Sequence, residues 1–223
     1  MPTQKLIITG CARSGTTLLH SLMSCFDDVK IYKFRETLPS KLNGKDLNKV
    51  LKKYIVIKRP QFNVDDQRYF TFNNLLEQEY RIINIIRDGR DVLVSRHPDD
   101  PSKYWVKPDR WLNAVRETIE HRNNPFIHVL KYESLVVQTK TELDKIALFL
   151  GVERKQTLSG SNIHLYPPVQ NYLKNATMKG TGPIFSHSVG NWKKEIHRKR
   201  ILNITKEFGK EIKYLLKELE YDI

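Results

Sequence analysis

Cysteine is scarce in this 223-residue sequence, which contains only Cys11 and Cys25. Neither cysteine belongs to a C-x-x-C pair or to the His/Cys spacing of a metal site. A disulfide scaffold and a zinc site are therefore not expected. Because 39% of the residues are hydrophobic, the chain has enough apolar material to form a globular core.

Long apolar runs are also missing. The N-terminal segment MPTQKLIITG lacks the charged-then-apolar order of a signal peptide. Its apolar run is far shorter than the ~20 residues that a membrane-spanning helix requires. We therefore expect a cytoplasmic protein with no membrane span.

Acidic residues are too few to balance the basic ones. The sequence has 25 Asp and Glu against 38 Lys and Arg, so its formal net charge is +13. Such a charge attracts anions such as nucleic acid, nucleotides, sulfated or carboxylated sugars and acidic lipid surfaces. The length is typical of one core, and we predict a single domain over residues 1–223.

Short apolar runs alternate along the chain with amphipathic segments, a pattern typical of an α/β fold with a parallel β-sheet flanked by helices. Segment 152–189 has no periodicity and is predicted to be irregular. The predicted strands are Lys5–Thr9, Val29–Phe34, Tyr54–Lys58, Arg81–Ile86 and Phe126–Lys131. The predicted helices are Thr16–Phe26, Leu47–Tyr54, Asn73–Glu79, Asp91–Arg96, Asp109–Arg122, Lys140–Leu150 and Ile201–Leu219.

One lysine is missing from an otherwise familiar phosphate-binding loop. The stretch GCARSGTT, residues 10–17, has both glycines and the hydroxyl of a Walker P-loop, but Thr16 stands where the pattern requires lysine. Its backbone N–H groups can still bind an anion, and Arg13 supplies a cation from within the loop. The alternative is a tight strand-to-helix turn with a Ser/Thr cap.

A magnesium-binding carboxylate is missing as well. Kinases and ATPases hold Mg²⁺ with the loop hydroxyl and an acidic residue at a strand end. Here the strand YIVIK ends in lysine, and RIINIIRD reaches arginine before aspartate. An anion site that relies on Arg and Lys suits a sulfuryl group, which carries less negative charge than a terminal phosphate.

Three motifs together resemble those of the sulfotransferases that use 3′-phosphoadenosine 5′-phosphosulfate (PAPS). They are GCARSGTT, RDGRDVLVS and VGNWKK, and they occur in the family's order between Ile7 and about Lys193. The first two motifs are specific together, whereas the third is weak alone. The resemblance implies a P-loop-like three-layer α/β sandwich that uses PAPS, releases adenosine 3′,5′-bisphosphate and needs no metal.

The resemblance also implies roles for individual residues. It assigns the 3′-phosphate of the donor to Arg87 and Ser95, which follow the strand RIINII at the sheet edge where doubly wound folds bind ligands. The alternative for RDGRD is a charged turn at a helix start. The residues implied to hold the 5′-phosphosulfate are Arg13, Ser14, Gly15, Thr16 and Thr17.

The C-terminal motif resembles a segment that closes over the nucleotide. Trp192 could equally anchor the last helix in the core. Tyr132 matches a Tyr-Glu motif of the family and is either structural or in contact with the nucleotide. The residues implied for closure are Ser188, Gly190, Trp192 and Lys193.

Sulfuryl transfer needs a base for the acceptor's proton. Glu36 lies where glutamate-type members, including tyrosylprotein and several bacterial sulfotransferases, place theirs, and an ordinary Glu is ionised at neutral pH. Alternatively, Glu36 pairs with Arg35 or Lys33, and His97 or His187 is the base. Lys58 resembles the lysine that neutralises the leaving oxygen, the alternative being an ordinary strand-end lysine.

The acceptor is expected to be a hydroxylated compound such as a carbohydrate or another small molecule, with no obligatory nucleic acid. Segments 59–69 and 152–189 are expected to shape its pocket. Two other functions remain open: a small-molecule kinase with a degenerate P-loop, and a non-enzymatic basic module that binds nucleic acid or acidic polysaccharide. The sequence carries no signal of oligomeric state.

Overall fold

A computed structural model describes residues 2–42, 44–61, 70–97, 100–155 and 187–222, and for Phe34 the backbone alone. The predicted pocket-shaping segments therefore lie partly outside the described residues, at 62–69 and 156–186. In the described part of the chain, no helix has the length and apolar character needed to cross a membrane.

The described residues form a five-stranded sheet with the order β2-β3-β1-β4-β5, in which all neighbouring strands are parallel. This arrangement confirms the predicted α/β class. Because β1 is the central strand, the loop that follows it lies in the middle of the carboxyl edge of the sheet. The strands are β1 Gln4–Thr9, β2 Val29–Glu36, β3 Tyr54–Lys58, β4 Tyr80–Ile86 and β5 Ile127–Lys131.

Helices cover both faces of the sheet. Among the described residues, short 3₁₀ helices supplement the α-helices at Met23–Cys25, Pro39–Lys41, Asn191–Lys193 and Glu195–His197. The α-helices are α1 Thr16–Leu22, α2 Gly44–Asn48, α3 Phe72–Glu77, α4 Gly89–Leu93, α5 Pro108–His121, α6 Tyr132–Val137, α7 Thr139–Leu150 and α8 Arg198–Glu218.

The alternation of side chains along each strand explains the three layers. In β1, Leu6 and Ile8 pack on one face with α1, α6 and α7, while Ile7 faces the other side of the sheet with α3. A third apolar cluster joins α4, α5 and α8. The strands are apolar on both faces because both faces are covered.

Three helix predictions are corrected. The helix predicted at Asp91–Arg96 instead begins at Gly89 and ends at Leu93. The predicted helix Leu47–Tyr54 is wrong: α2 ends at Asn48, and Leu51 is 98% exposed. Leu47 and Val50 pack against the core, but Leu51 does not and Tyr54 already begins β3, so the apolar residues at helical spacing do not form one packed face. The first helix ends at Leu22 and continues only as a 3₁₀ turn, since Phe26 is already extended.

Candidate active site

The turn between β1 and α1 contains three residues in the left-handed region. Their φ angles are 138° at Gly10, 70° at Arg13 and 95° at Gly15. A Cβ on Gly10 would collide with the backbone oxygen of Ile85, and one on Gly15 would lie 2.5 Å from the ring of Tyr132. Only glycine fits these two positions, whereas the surroundings hold Arg13 in a conformation that costs energy for a residue with a Cβ.

The hydroxyl groups of this turn differ in their hydrogen-bond partners. Lys58 Nζ donates a hydrogen bond of 2.9 Å to Thr17 Oγ1. Ser14 is 1% exposed, and its Oγ has no hydrogen-bond partner among the described residues. Thr16 is also buried. A buried hydroxyl without a partner is uncommon, and it fits a place where a ligand or water supplies the missing bond.

Glu36 and Lys58 lie opposite each other at the carboxyl ends of β2 and β3. Lys58 is 6% exposed. Burial lowers the pKa of its amine, and the negative charge of Glu36 acts in the opposite direction. The structure thus brings together the residues predicted as base and as leaving-group cation.

Glu36 pairs with Arg59, at 3.2 Å between carboxylate and guanidinium. The partner is neither Arg35 nor Lys33, the two residues that the sequence suggested. Arg59 instead follows the neighbouring strand β3. The Glu36 side chain is 47% exposed and that of Arg59 only 14%. The Arg59 backbone N–H donates to the Ile8 oxygen at 3.0 Å, which fixes its position beside the turn.

Arg87 connects three separate segments of the site. Its Nη1 donates to the Arg13 oxygen at 2.9 Å, and its Nη2 donates to the Ser188 oxygen. Its guanidinium lies 4.5 Å from the ring centroid of Tyr132, whose hydroxyl is 2.6 Å from Ser188 Oγ. The structure therefore brings these four predicted residues together.

Positive charge concentrates around this turn. Partial burial, and then the nearby charge of Arg87, lowers the pKa of Arg13, although the Arg13 side chain still reaches solvent. Arg87 is 7% exposed, and its Nε has no partner among the residues described. Two neighbouring guanidinium groups repel each other, and an anion bound beside them relieves that repulsion.

Asp91, which the sequence did not single out, holds the C-terminal motif in place. It is 1% exposed, and its carboxylate accepts the backbone N–H groups of Gly190 at 2.7 Å and of Trp192 at 3.0 Å. It also lies 3.8 Å from Arg87. Ser95, the predicted partner of Arg87, donates its hydroxyl to the Asp91 backbone oxygen at 3.0 Å.

Trp192 is partly exposed and is not buried in the core. Its ring lies 4.1 Å from the Arg90 guanidinium and 5.5 Å from the amine of Lys193. Gly190 has a φ of 77° and precedes the 3₁₀ helix that contains Trp192. The side chain is thus at the surface, beside α4.

The histidines occupy different environments. His97 packs against Trp105 with ring centroids 4.1 Å apart and the ring planes tilted by 53°, and His187 is exposed. His20 is fully buried, and burial, together with the charge of Lys58, lowers its pKa to about 3. His20 is therefore neutral at physiological pH. The described residues include no cluster of three or more His, Cys, Asp or Glu that could hold a metal ion.

Comparison with known proteins agrees with this geometry. Residues 3–215 match the family model described as a sulfotransferase domain. The fold is similar to mouse sulfotransferase SULT7A1 complexed with PAP, with a TM-score of 0.58, 15% identity, and coverage of 96% of this chain and 88% of that chain. No curated protein matches the sequence.

Two further solved structures share the fold. The sulfotransferase domain from the Synechococcus PCC 7002 olefin synthase has a TM-score of 0.59 and 14% identity, covering 100% of this chain and 96% of that chain. Retinol dehydratase in a complex with retinol and PAP has a TM-score of 0.52 and 17% identity, and the match covers 100% of this chain and 84% of that chain. Since the family model extends over nearly the whole length, the chain belongs to the sulfotransferase domain family.

Proposed function

We propose that residues 1–223 form a single domain that transfers a sulfuryl group from PAPS to a hydroxyl group of an acceptor. The observation that carries this proposal is the row formed by Thr17, Lys58 and Glu36. Lys58 reaches the glycine-rich turn through a 2.9 Å hydrogen bond, and it lies opposite Glu36 in the sheet. A donor-binding hydroxyl, a cation and a carboxylate thus follow one another along one edge.

The residues around the turn fit a sulfonated nucleotide. Ser14 Oγ and Arg87 Nε are buried donors with no partner among the described residues, and Arg13 lies beside Arg87. We assign the 5′-phosphosulfate to residues 13–17, and the 3′-phosphate to Arg87 and Ser95. PAP, the product that PAPS would leave, is named in the structures of similar fold. The remaining assigned contacts are Tyr132, Ser188, Gly190, Trp192 and Lys193.

The chain's own groups support an in-line transfer. PAPS supplies the sulfuryl group, which exchanges its bond to the 5′-phosphate oxygen for a bond to the acceptor oxygen. Glu36 takes the proton of the acceptor hydroxyl and returns it to solvent. Lys58 stabilises the negative charge that develops on the leaving phosphate oxygen. The 3.2 Å ion pair with Arg59 orients Glu36 at the carboxyl edge.

The acceptor assigned here is a hydroxylated small molecule or carbohydrate. Retinol dehydratase, which shares the fold, is named in complexes with retinol and with androsterone, and both ligands carry a hydroxyl. Glu36 is half-exposed, so an acceptor can approach it from solvent. The basic charge of the chain favours acceptors that carry negative charge near the hydroxyl.

The test combines the protein with ³⁵S-labelled PAPS and a pool of hydroxylated compounds. We expect a labelled product that Glu36→Gln abolishes, because the amide cannot accept the proton. Glu153→Gln, at an exposed position, is the matched control and should leave turnover unchanged. Unchanged turnover in Glu36→Gln would remove Glu36 from its role, and the absence of any product with the unaltered protein would contradict the proposed reaction.

A further inference from the structure

Asp91 lies between the two residues assigned to the 3′-phosphate of the donor. Arg87 is four positions before it and Ser95 four positions after it. The carboxylate is 3.8 Å from the Arg87 guanidinium, and the Ser95 hydroxyl donates to the Asp91 backbone oxygen at 3.0 Å. A single buried residue therefore contacts both members of the pair.

The same carboxylate holds a segment that is distant in sequence. Its Oδ2 accepts the Gly190 N–H at 2.7 Å and its Oδ1 accepts the Trp192 N–H at 3.0 Å. Arg87 Nη2 donates to the Ser188 oxygen of the same segment. Both carboxylate oxygens of Asp91 therefore hold the backbone of segment 188–192, and Ser188 of this segment accepts a hydrogen bond from Arg87.

Resting on the proposed function, we propose that Asp91 is a positioning residue that gives the donor site its preference for a 3′-phosphate. It orients Arg87 through the ion pair and holds segment 188–192 beside it, so that the guanidinium and the Ser188 hydroxyl are in place when the nucleotide arrives. The 5′ end of the nucleotide depends on residues 13–17, whereas the contacts of Asp91 described above go to Arg87, Ser95 and the segment 188–192.

Two physical effects of Asp91 have opposite signs, and this makes the role testable. On charge alone, a carboxylate beside Arg87 weakens the binding of a phosphate, so its removal should tighten binding. Positioning has the reverse effect, because the loss of the carboxylate releases Gly190 and Trp192 and removes the ion pair that helps to orient Arg87. The direction of the change separates the two effects.

The experiment measures the affinities of adenosine 3′,5′-bisphosphate and adenosine 5′-phosphate by calorimetry for the full chain and for Asp91→Asn. Asparagine has the same shape, but because Gly190 and Trp192 donate to different oxygens of Asp91, one of these N–H groups would face the NH₂ group of asparagine, which is a donor. We expect the affinity for the bisphosphate to fall by about tenfold and that for the 5′-phosphate to change by less than about twofold. Asp109→Asn, which removes an exposed carboxylate, should change neither affinity.

The outcomes are distinguishable. Suppose that the unaltered chain prefers the bisphosphate over the 5′-phosphate. If Asp91→Asn leaves this preference unchanged or increases it, the role of Asp91 is overturned and the proposed donor site is not. An unaltered chain that shows no preference for the bisphosphate overturns the proposed donor site and the role of Asp91 with it.

A measurement on the unaltered protein keeps the inference testable if Asp91→Asn does not fold. A 3′-phosphate that binds Arg87 weakens the ion pair between Arg87 and Asp91. The Asp91 carboxylate then accepts more strongly from its two backbone donors, the N–H groups of Gly190 and Trp192. Hydrogen exchange at Gly190 and Trp192 should therefore be slower with the bisphosphate than with the 5′-phosphate. Equal exchange with both nucleotides would overturn the inference.

Discussion

Lys58 and Arg87 are almost completely buried, at 6% and 7% exposure, although each carries a charged group. Buried cations cost free energy unless nearby groups compensate them. Around Lys58 the compensation comes from the Thr17 hydroxyl and from the charge of Glu36. Around Arg87 it comes from backbone oxygens and Asp91. Both buried cations lie where we propose that the anionic groups of the donor bind.

Replacing Lys58 tests whether its charge stabilises the leaving oxygen. Lys58→Met should lower kcat by about 100-fold, because a transition-state donor is lost, while the affinity for adenosine 3′,5′-bisphosphate changes little. Initial rates with labelled PAPS and the acceptor pool measure the effect. Lys52→Met, an exposed position before the same strand, is the control. A kcat within about threefold of the unaltered value would contradict the role.

The pH dependence provides an independent test of Lys58. Burial lowers the pKa of its amine, so the charged form that stabilises the leaving oxygen is lost at a lower pH than for an exposed lysine. We expect kcat to decline on the alkaline side below the ordinary lysine range. Lys58→Arg, which stays charged, should abolish that decline. A decline that persists in Lys58→Arg would assign it to another group.

At the scale of elements, the glycine-rich turn and the C-terminal 3₁₀ turn both depend on glycine, but for different reasons. Gly15 has a φ of 95° and its missing Cβ makes room for the Tyr132 ring. Gly190 has a φ of 77°, and a Cβ there would meet nothing within 4 Å. Gly15 is therefore required for both its left-handed conformation and the space beside Tyr132, whereas Gly190 is required for its left-handed conformation alone.

This difference predicts unequal effects of alanine. Gly190→Ala should lower the free energy of unfolding by about 1 kcal/mol, the cost of a left-handed conformation for a residue with a Cβ. Gly15→Ala should cost clearly more, about 2–4 kcal/mol, because it adds overlap with Tyr132. Urea unfolding of the two variants measures the difference. Equal losses of stability would show that the Tyr132 contact does not constrain the turn.

The elements that the sequence predicted well are those with a strong local signal. The apolar run YIVIK was predicted as a strand and is β3 with the same bounds, because a buried strand needs only continuous apolar residues. The helix predicted over Leu47–Tyr54 is wrong although its apolar residues have helical spacing, because Leu51 is exposed and Tyr54 belongs to β3. The short helix α6 was not predicted, because six residues are too few to show a helical period.

At the scale of the whole molecule, the candidate site combines residues from distant parts of the chain. The motifs identified the glycine-rich turn and the C-terminal segment separately. They gave no role to Asp91, which lies within RDGRDVLVS and joins α4 to Gly190 across 99 positions, and they did not predict the pairing of Arg59 with Glu36 across 23. Such pairs depend on which strands and segments become neighbours, and local sequence patterns do not contain that information.

Ligand stabilisation of the whole domain distinguishes the proposed sulfotransferase from a kinase with a degenerate P-loop. A ligand that binds only the folded chain stabilises it by about 2.7 kcal/mol at ~100 times its Kd. For a domain of this size, that corresponds to a rise in Tm of about 5–10 °C. We expect adenosine 3′,5′-bisphosphate to produce this rise and ATP with Mg²⁺ to produce none, as measured by thermal unfolding at matched concentrations.

Arg87→Met supplies the control for that comparison, because the rise in Tm depends on the guanidinium that we assign to the 3′-phosphate. In this variant the bisphosphate should shift Tm by much less than in the unaltered chain, since the phosphate loses its charge-assisted hydrogen bonds. A larger shift with ATP and Mg²⁺ than with the bisphosphate would favour the kinase. No shift with either nucleotide, together with nucleic-acid binding that weakens steeply as salt is added, would favour a basic binding module, because such binding depends on the release of counterions.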